Sequence, residues 1–497
     1  MRPRFSVLWV PLVLWVLASP AHAHVGSPNV FFDGDAGPYP VRVVVRPPAV
    51  VPGLAEVTVR LRDSGGKVDE VTTQPVQYQA GFKGAPPADV ATPVPGAPGL
   101  WSSQLWLMVP SSYAVRVHVK GPAGEGEALV PVAAVPSRVL GMDRSLGIIL
   151  AALGLFLFAG AVSIVGAAVR ESVVPPGEAV DAARRSRARA VTVLAALLFA
   201  LALWGGKRWW DSVDGRAREG LFKPFAVRTA VNQESGRPVL GLRIADERSG
   251  EWTPLIPDHG KLMHLFLIRE PGLDAFAHLH PVPRGREDFA APLPPLPAGT
   301  YRLYADVVHE SGFPQTLVAT VKIPAGAGAA AGVGLAPDPD DSWRASEPLG
   351  RAANAGPKLS LLEDGGSMLW HQEPLAAGRE ATLHFEVRGR DGRPASLEPY
   401  MGMLSHAVIT RDDGEVFVHL HPMGSINMAA QQAFEVMERE EEGATPGMPG
   451  MDHGAHAKAS AVSFPYEFPR PGQYRVWVQV KSGGMVLTGV FDTRVGG

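Results

Sequence analysis

Two apolar segments in the middle of the chain constrain its fold most strongly. Residues 146–169 carry no charge over 24 positions, a length that lets a helix cross a lipid bilayer. Residues 190–206 are shorter, at 17 positions, and Trp204, Trp209 and Trp210 lie near their far end, as in an interfacial aromatic belt. We therefore predict two transmembrane helices. Because neither segment contains an ionisable side chain, the pair is expected to anchor the protein rather than to transport an ion.

The N-terminus and the arginines between the two segments predict an orientation. Residues 1–23 have the pattern of a signal peptide, with Arg2 and Arg4 before an apolar stretch and a small-x-small site at residues 21–23, so cleavage would leave His24 first. Residues 170–189 form an arginine-rich loop that the positive-inside rule places in the cytoplasm. The N- and C-terminal regions then both face the periplasm, and the predicted location is the cytoplasmic (inner) membrane.

The rest of the chain is predicted to be mainly β. Apolar and polar residues alternate with period two in residues 24–140, 221–324 and 358–497, and clusters of proline and glycine separate the short runs. We expect three immunoglobulin-like β-sandwich domains, in addition to the two transmembrane helices. Residues 325–357, rich in Ala, Gly, Pro and Asp, are interpreted as a linker.

The last two β regions contain the same motifs in the same order, which indicates an internal duplication. We call residues 221–324 repeat A and residues 358–497 repeat B. A strand that begins with His264 in repeat A corresponds to one that begins near His406 in repeat B. The next strand reads Phe-Ala-His-Leu-His-Pro from Phe276 and Phe-Val-His-Leu-His-Pro from Phe417, and a Pro-Gly-x-Tyr or Pro-Ala-Gly-Thr-Tyr motif follows in each.

The duplicated histidines are the main candidates for chemistry. In a strand, side chains at positions i and i+2 point to the same face, about 7 Å apart at Cα, so both imidazoles of a His-x-His pair can bind one metal ion. If the His-led strand pairs with it, a third imidazole joins them. Upstream, one repeat has a histidine where the other has a methionine, an exchange that suits copper better than zinc. The candidate ligands are His259, His264, His278 and His280 in repeat A, and Met401, His406, His419 and His421 in repeat B. Alternatively, some of these histidines serve packing, as we expect for Phe276 and Phe417 on the same face.

Two further segments are candidate copper ligands. A Gly-rich, loop-like insertion in repeat B offers soft thioether and imidazole groups at Met448, Met451, His453 and His456. After cleavage of the signal peptide, the α-amine and imidazole of His24 could chelate a copper ion together. The alternatives are an ordinary flexible insertion and a disordered terminus.

Composition excludes several classes of function. The chain of 497 residues has no cysteine, which rules out disulfides, iron–sulfur clusters and blue-copper sites. A formal net charge of -3 argues against a nucleic-acid partner. P-loop, G-x-S-x-G and H-E-x-x-H motifs are absent, and the glutamate that usually follows His-x-His in cupin enzymes is missing after His280 and His421. We therefore predict a protein that is not an enzyme.

The His-Leu-His-Pro strand, the His-led strand before it and the Pro-Gly-x-Tyr strand after it resemble bacterial exported immunoglobulin-like domains of the YtkA-like kind. The resemblance covers about half of the chain, and its motifs are short. It implies copper or heavy-metal handling, with ligand roles for His264, His278, His280, His406, His419 and His421. The Met448 to His456 segment is similar to the Met/His-rich stretches of periplasmic copper-resistance proteins.

The sequence thus favours a membrane-anchored periplasmic protein that buffers or chaperones copper through duplicated histidine clusters. The partners expected are a metal ion, the cytoplasmic membrane and an envelope protein. One alternative is an assembly or interaction module of an envelope or respiratory complex without metal chemistry. The other is a metal-dependent oxidoreductase, which would need an open coordination position beside a pocket.

Overall fold

The structure is a computed structural model that describes residues 29–62, 68–175, 177–245, 254–326, 335–350, 356–443 and 459–497. The predicted signal peptide lies outside the described residues. So do five of the candidate ligands: His24, Met448, Met451, His453 and His456.

The region before the long helices is made of two antiparallel sheets. Its strands are β1 (Val30–Ala36), β2 (Tyr39–Arg46), β3 (Gly53–Leu61), β4 (Glu70–Gln77), β5 (Asp89–Val90), β6 (Thr92–Pro93), β7 (Leu100–Leu107), β8 (Ser111–Gly121) and β9 (Gly124–Ala134). One sheet has the order β1-β2-β3-β7-β6 and the other β5-β4-β8-β9. Alternate valines, such as Val43 in β2 and Val117 in β8, come together in one hydrophobic cluster between the sheets.

Two long apolar helices follow, α1 (Arg144–Glu171) and α2 (Ala182–Glu219), and both are long and apolar enough to cross a membrane. They form an antiparallel pair: Phe158 contacts Phe199, and a Cβ on Gly166 would lie 2.4 Å from the hydroxyl of Thr192. The second helix extends well beyond residues 190–206 at both ends. The arginines of the expected loop therefore lie mostly within α2, because Ala and Arg are good helix formers and the Asp181 side chain caps the N-terminus.

Repeat A has two sheets and a strand from the segment expected to be a linker. Its strands are β10 (Ala226–Glu234), β11 (Arg237–Ala245), β12 (Leu255–Ile256), β13 (His264–Glu270), β14 (Ala275–Leu279), β15 (Val282–Pro283), β16 (Asp288–Pro292), β17 (Gly299–His309), β18 (Pro314–Ile323) and β19 (Ser342–Ala345). The sheets run β10-β11-β16-β15 and β12-β17-β13-β14-β19, with β18 on β17. The linker prediction is thus wrong for residues 342–345, which pair with β14 as an edge strand.

Repeat B has the same plan. Its elements are β20 (Gly356–Leu361), β21 (Ser367–Gln372), β22 (Leu375–Ala376), β23 (Glu380–Arg388), β24 (Ser405–Arg411), β25 (Phe417–Leu420), α3 (Met428–Glu441), β26 (Ala461–Glu467), β27 (Gly472–Ser482) and β28 (Met485–Gly496). The sheets run β20-β21-β23-β26 and β22-β28-β27-β24-β25. Helix α3 was not predicted, although its Met-Ala-Ala-Gln-Gln-Ala-Phe sequence contains strong helix formers.

The β13–β14 sheet of repeat A packs against the β24–β25 sheet of repeat B. Alternate residues of each strand point to opposite sides of its sheet. In β13, Leu265 and Leu267 point into the core of repeat A, while Phe266 and Ile268 point toward repeat B. The cluster between the repeats is completed by Leu273, Phe276, Tyr304, Val408, Phe417 and Trp477. The expectation that Phe276 and Phe417 share the histidine face and pack in an interior is confirmed, and that interior is the contact between the repeats.

Candidate metal centre

Strand register brings three histidines together in each repeat. In repeat A, Phe266 faces His278 across the β13–β14 ladder. The same register places His264 opposite His280, two residues further along each strand. In repeat B, Val408 faces His419, which sets His406 opposite His421 in the same way. We call His264, His278 and His280 triad A, and His406, His419 and His421 triad B. Each triad holds nitrogen atoms that all lie within 4.8 Å of one another, and each could hold a metal ion.

The two triads have nearly the same geometry. Ring centroids in triad A are 5.4 Å (His264–His278), 5.2 Å (His264–His280) and 4.6 Å (His278–His280) apart. The corresponding distances in triad B are 5.4, 5.1 and 4.5 Å. Two chain segments with different neighbouring residues therefore build one arrangement of three imidazoles.

All six imidazoles are buried, and burial keeps them neutral. It lowers the pKa of His264 to about 4 and that of His421 to about 3, and it holds the pKa of each of the other four well below 6.5. A metal ion binds the unprotonated imidazole, so these side chains are in the state that coordination requires at neutral pH.

Five of the six histidines have an oxygen acceptor beside the ring nitrogen that faces away from its triad. His264 Nε2 donates to the carbonyl of Asp258 at 3.1 Å, His278 Nδ1 to Gln479 Oε1 at 2.9 Å and His280 Nδ1 to Asp341 Oδ1 at 3.0 Å. In triad B, His421 Nδ1 donates to the carbonyl of Ile426 at 3.1 Å, and His419 Nδ1 lies 3.4 Å from Asp306 Oδ2. Such acceptors fix the tautomer and orientation of metal-binding histidines in known sites.

Two of these acceptors cross between the repeats. Asp306 pairs with His264 in the sheet of repeat A, but its carboxylate lies beside His419 of repeat B. Gln479 pairs with His406 in repeat B, and its side chain accepts from His278 of repeat A while donating to Ser342. The equivalent position of each repeat therefore supports the triad of the other.

These supporting residues were not predicted from the sequence. Asp306 and Gln479 were visible only as polar residues within otherwise apolar strands, and Asp341 lay in the presumed linker. Burial raises the pKa of both Asp306 and Asp341 to about 7. A third group that could hold an ion, His280 with Asp338 and Asp341, is partly occupied by the ammonium of Lys261, which lies 2.6 Å from Asp338.

The two triads are not separate sites but lie face to face. The His264 ring centroid is 5.4 Å from that of His419, and His278 is 5.7 Å from His419 and 6.2 Å from His406. The shortest of these distances equals the longest within each triad, and the other two are longer by less than 1 Å. The sequence predicted two clusters, and the structure joins them in one buried cluster of imidazoles.

His259 and Met401 occupy the same turn position in the two repeats. Both side chains are buried and both residues have a positive φ, 52° and 48°, followed by a glycine with φ 79°. This matches the central pair of a type I′ turn. The His259 ring lies 4.9 Å from His421 and 5.6 Å from His406, but 6.2 Å from His264 of its own repeat. His259 was expected to join the histidines of repeat A, and it lies closer to triad B.

One family model matches part of the chain. The family described as Domain of unknown function (DUF8832) matches residues 228–325 and 362–497, which contain both triads. No curated protein matches the chain.

Among solved structures, the chain is similar to a tetra-tandem repeat in the extending region of a large adhesion protein, with 9% identity, 90% of this chain and 71% of that chain covered, and a TM-score of 0.15. It is also similar to alpha-2-macroglobulin of Escherichia coli activated by porcine elastase, with 12% identity, coverages of 92% and 31%, and a TM-score of 0.18. A putative membrane anchored protein from Corynebacterium diphtheriae gives 8% identity, coverages of 92% and 92%, and a TM-score of 0.13.

Proposed function

We propose that this protein is a membrane-anchored periplasmic protein that binds copper at the histidine cluster and buffers or delivers it. The proposal includes three immunoglobulin-like sandwiches, one before the helices and one in each repeat, of the YtkA-like kind. Because the two helices run antiparallel, the chain leaves the helix pair at the same end where it entered. Both β regions therefore lie on one side of the membrane. The backbone N–H of Phe222, just after α2, donates to the carbonyl of Pro136, just before α1.

The contact between His264 and His278 supports metal binding most directly. His264 donates its Nε2 proton to a carbonyl and His278 donates its Nδ1 proton to an amide oxygen. Because a neutral imidazole has one N–H, His264 Nδ1 and His278 Nε2 are both bare acceptors, yet they lie 3.1 Å apart. Two lone pairs repel at this distance in the absence of a cation. Two nitrogens on one tetrahedral ion, with bonds of about 2.0–2.1 Å, would be about 3.3 Å apart.

Unpaired nitrogens elsewhere in the cluster support the same conclusion. Among the described residues, the Nε2 atoms of His280, His406 and His421 and both ring nitrogens of His259 are buried without a hydrogen-bond partner. A buried polar atom without a partner costs about 1–3 kcal/mol, so five in one place would be a large penalty for packing alone. A metal ion in each triad would satisfy the Nε2 atoms of His280 and His421.

Copper is favoured over other metals by the donor set. Imidazole binds copper, zinc, nickel and iron. The nearest carboxylates do not supply the main ligands, because Asp341 accepts from the outward nitrogen of His280 in triad A and Asp306 lies beside the outward nitrogen of His419 in triad B. The exchange of His259 for Met401 between the repeats provides a thioether at one of two equivalent positions, which suits Cu(I). The chain has no cysteine, so a thiolate does not compete.

Titration of the full chain in detergent with Cu(I) and Cu(II), against a chelator of known affinity, tests this function. We expect tight binding that is lost in H278A/H280A/H419A/H421A. The matched control is H371A/H384A, which removes two histidines from exposed strand positions outside the cluster. The four alanine substitutions leave cavities that could unfold the protein. The circular dichroism spectra of the variants are therefore compared with that of the unmodified chain, and the single variants H280A and H421A are titrated as well. Equal tight copper binding by all the variants would refute the proposal, and parallel zinc and nickel titrations identify the preferred metal.

A further inference from the structure

Each of the two neighbouring triads could hold a metal ion of its own. Each triad is a complete set of three imidazoles, and the closest rings of the two sets are 5.4 Å apart, the same as the widest spacing within either set. A single ion cannot reach six nitrogens spread over both sets, since metal–nitrogen bonds are about 2 Å long. Filling both sets requires two ions, which would then lie within a few ångströms of each other.

His259 lies where it can contribute to only one of these ions. Its ring is closest to His421 and next closest to His406, both of triad B. Its side chain is 1% exposed, and neither ring nitrogen has a hydrogen-bond partner among the described residues. Asp258 Oδ1, the nearest acidic atom, is 3.9 Å from His259 Nε2 and accepts instead from the backbone N–H of Ala429.

The backbone at His259 is in a conformation that few non-glycine residues adopt. Its φ of 52° is in the left-handed region, where a non-glycine residue is strained. Met401 has the same conformation in repeat B, with φ 48°, so the type I′ turn sets the backbone in both repeats. The turn here directs an imidazole of repeat A toward the triad of repeat B.

We propose that the two triads form one two-ion centre, in which His259 of repeat A is the fourth ligand of the ion held by triad B. This deepens the proposed function and depends on it. The second ion binds more weakly than the first, because two cations share one buried space. The two sites also differ, since triad B gains an imidazole and the matching turn residue of repeat B is Met401.

Electron paramagnetic resonance of the Cu(II)-loaded full chain tests the two-ion arrangement. With one equivalent of Cu(II) we expect the spectrum of an isolated ion. With two equivalents we expect dipolar broadening with a half-field signal, or loss of signal through coupling. H280A and H421A, which each disable one triad, should bind one ion and never show the interaction. Two bound ions with unperturbed, independent spectra would overturn the two-ion centre while leaving copper binding intact, whereas no copper binding at all would overturn the proposed function itself.

A double-mutant comparison tests the assignment of His259. H259N suits the position because asparagine tolerates a positive φ. In the H280A background, where the remaining ion sits in triad B, H259N should weaken copper binding by about tenfold or more. In the H421A background, where the ion sits in triad A, it should change binding by less than about twofold. The exposed H371N serves as the control in both backgrounds. Equal effects in the two backgrounds, or an effect only in H421A, would overturn the assignment.

Discussion

At the scale of single residues, the tautomer of a histidine is set by the acceptor on its outward side. His278 illustrates this, because Gln479 Oε1 takes the Nδ1 proton and leaves Nε2 bare toward His264. Gln479 is itself fixed, since its amide group donates to Ser342. The chemistry of the cluster therefore depends on residues that would never contact the metal ion.

Replacing Gln479 tests that dependence. In Q479L the side chain keeps its approximate volume, but the buried Nδ1–H of His278 loses its acceptor. We expect the free energy of unfolding of the metal-free protein to fall by about 1–3 kcal/mol. Copper affinity should fall by about 10–100-fold, as for other outer partners of metal-binding histidines. Urea denaturation and copper titration measure the two effects.

The control for this variant is Q233L, at an exposed position of β10. It should leave both stability and copper affinity nearly unchanged. A Q479L protein with the affinity and stability of the unmodified chain would show that the outward hydrogen bond of His278 has no role.

The lowered pKa values predict how stability depends on pH. Below about pH 6.5 an unfolded histidine binds a proton, whereas burial lowers the pKa of His264 to about 4 and that of His421 to about 3 in the folded protein. The unfolded state therefore binds more protons, so the free energy of unfolding decreases as the pH falls from 6.5 to about 4. Asp306 and Asp341 oppose this, since burial raises the pKa of each to about 7. Six histidines with lowered pKa outweigh two aspartates.

Urea denaturation of the metal-free chain at pH 7.5, 6.0 and 5.0, with a chelator present, measures this effect. We expect a steady loss of stability toward pH 5.0. The H280A/H421A variant, with two of the buried imidazoles removed, should show a shallower loss. A chain that is as stable at pH 5.0 as at pH 7.5 would contradict the prediction.

At the scale of strands and hairpins, the alternation of side chains explains what the sequence could predict. In a His-x-His strand the two imidazoles share a face, and the residues between them, such as Leu279 and Leu420, enter the sheet's own core. The triads were therefore predictable from spacing and duplication. Their meeting was not, because a sequence pattern shows which residues share a face but not what lies opposite. For the same reason the role of Asp306 could not be predicted, since its partner His419 is more than a hundred positions away.

The loop after His421 connects triad B to the first β region. The carbonyl of Ile426 accepts from His421 Nδ1. The side chain of Ile426 lies in the hydrophobic cluster of the region before the helices, together with Met423. The N–H of Asp33 in β1 also donates to the carbonyl of Met423 at 2.8 Å. The first β region thus helps to hold an outward partner of the candidate metal centre.

Removing that side chain should affect triad B more than triad A. We expect I426A to cost about 2–5 kcal/mol in the free energy of unfolding, because the buried side chain leaves a cavity. The freed loop should also weaken copper binding in the H280A background, where the ion depends on triad B, and not in the H421A background. The exposed control L359A should change neither quantity. Loss of affinity in both backgrounds would point to general unfolding instead of this local connection.

At the scale of the whole molecule, two similar repeats make one site because each completes the other. The side chains of Asp306 and Gln479 each contact a histidine of the other repeat, and the side chain of His259 extends from repeat A toward triad B. Neither repeat alone would bury its histidine face, since the cover of each is the other repeat. A duplication that began as two equal sheets can in this way acquire two unequal sites, with His259 and Met401 as the difference.

The two helices are apolar enough to span a membrane, and their arrangement predicts the side on which the histidine cluster would lie. Because α1 and α2 run antiparallel, the β regions before and after them emerge at one end, and the connection at residues 172–181 lies at the other. The arginines near that connection favour the cytoplasmic side. Cytoplasmic exposure of the connection and periplasmic exposure of both β regions can therefore be tested together.

Single-cysteine labelling distinguishes the two sides cleanly, because the chain has no cysteine of its own. Val90 in the first β region, Met485 in repeat B and Val173 in the connection are 63%, 51% and 72% exposed, so a cysteine at each should react with little effect on folding. In sealed right-side-out membrane vesicles, a membrane-impermeant maleimide should label V90C and M485C but not V173C. Detergent should make V173C reactive and serves as its control for accessibility. Labelling of V173C alone in sealed vesicles would reverse the orientation and place the histidine cluster in the cytoplasm, where buffering or delivery of periplasmic copper would be impossible.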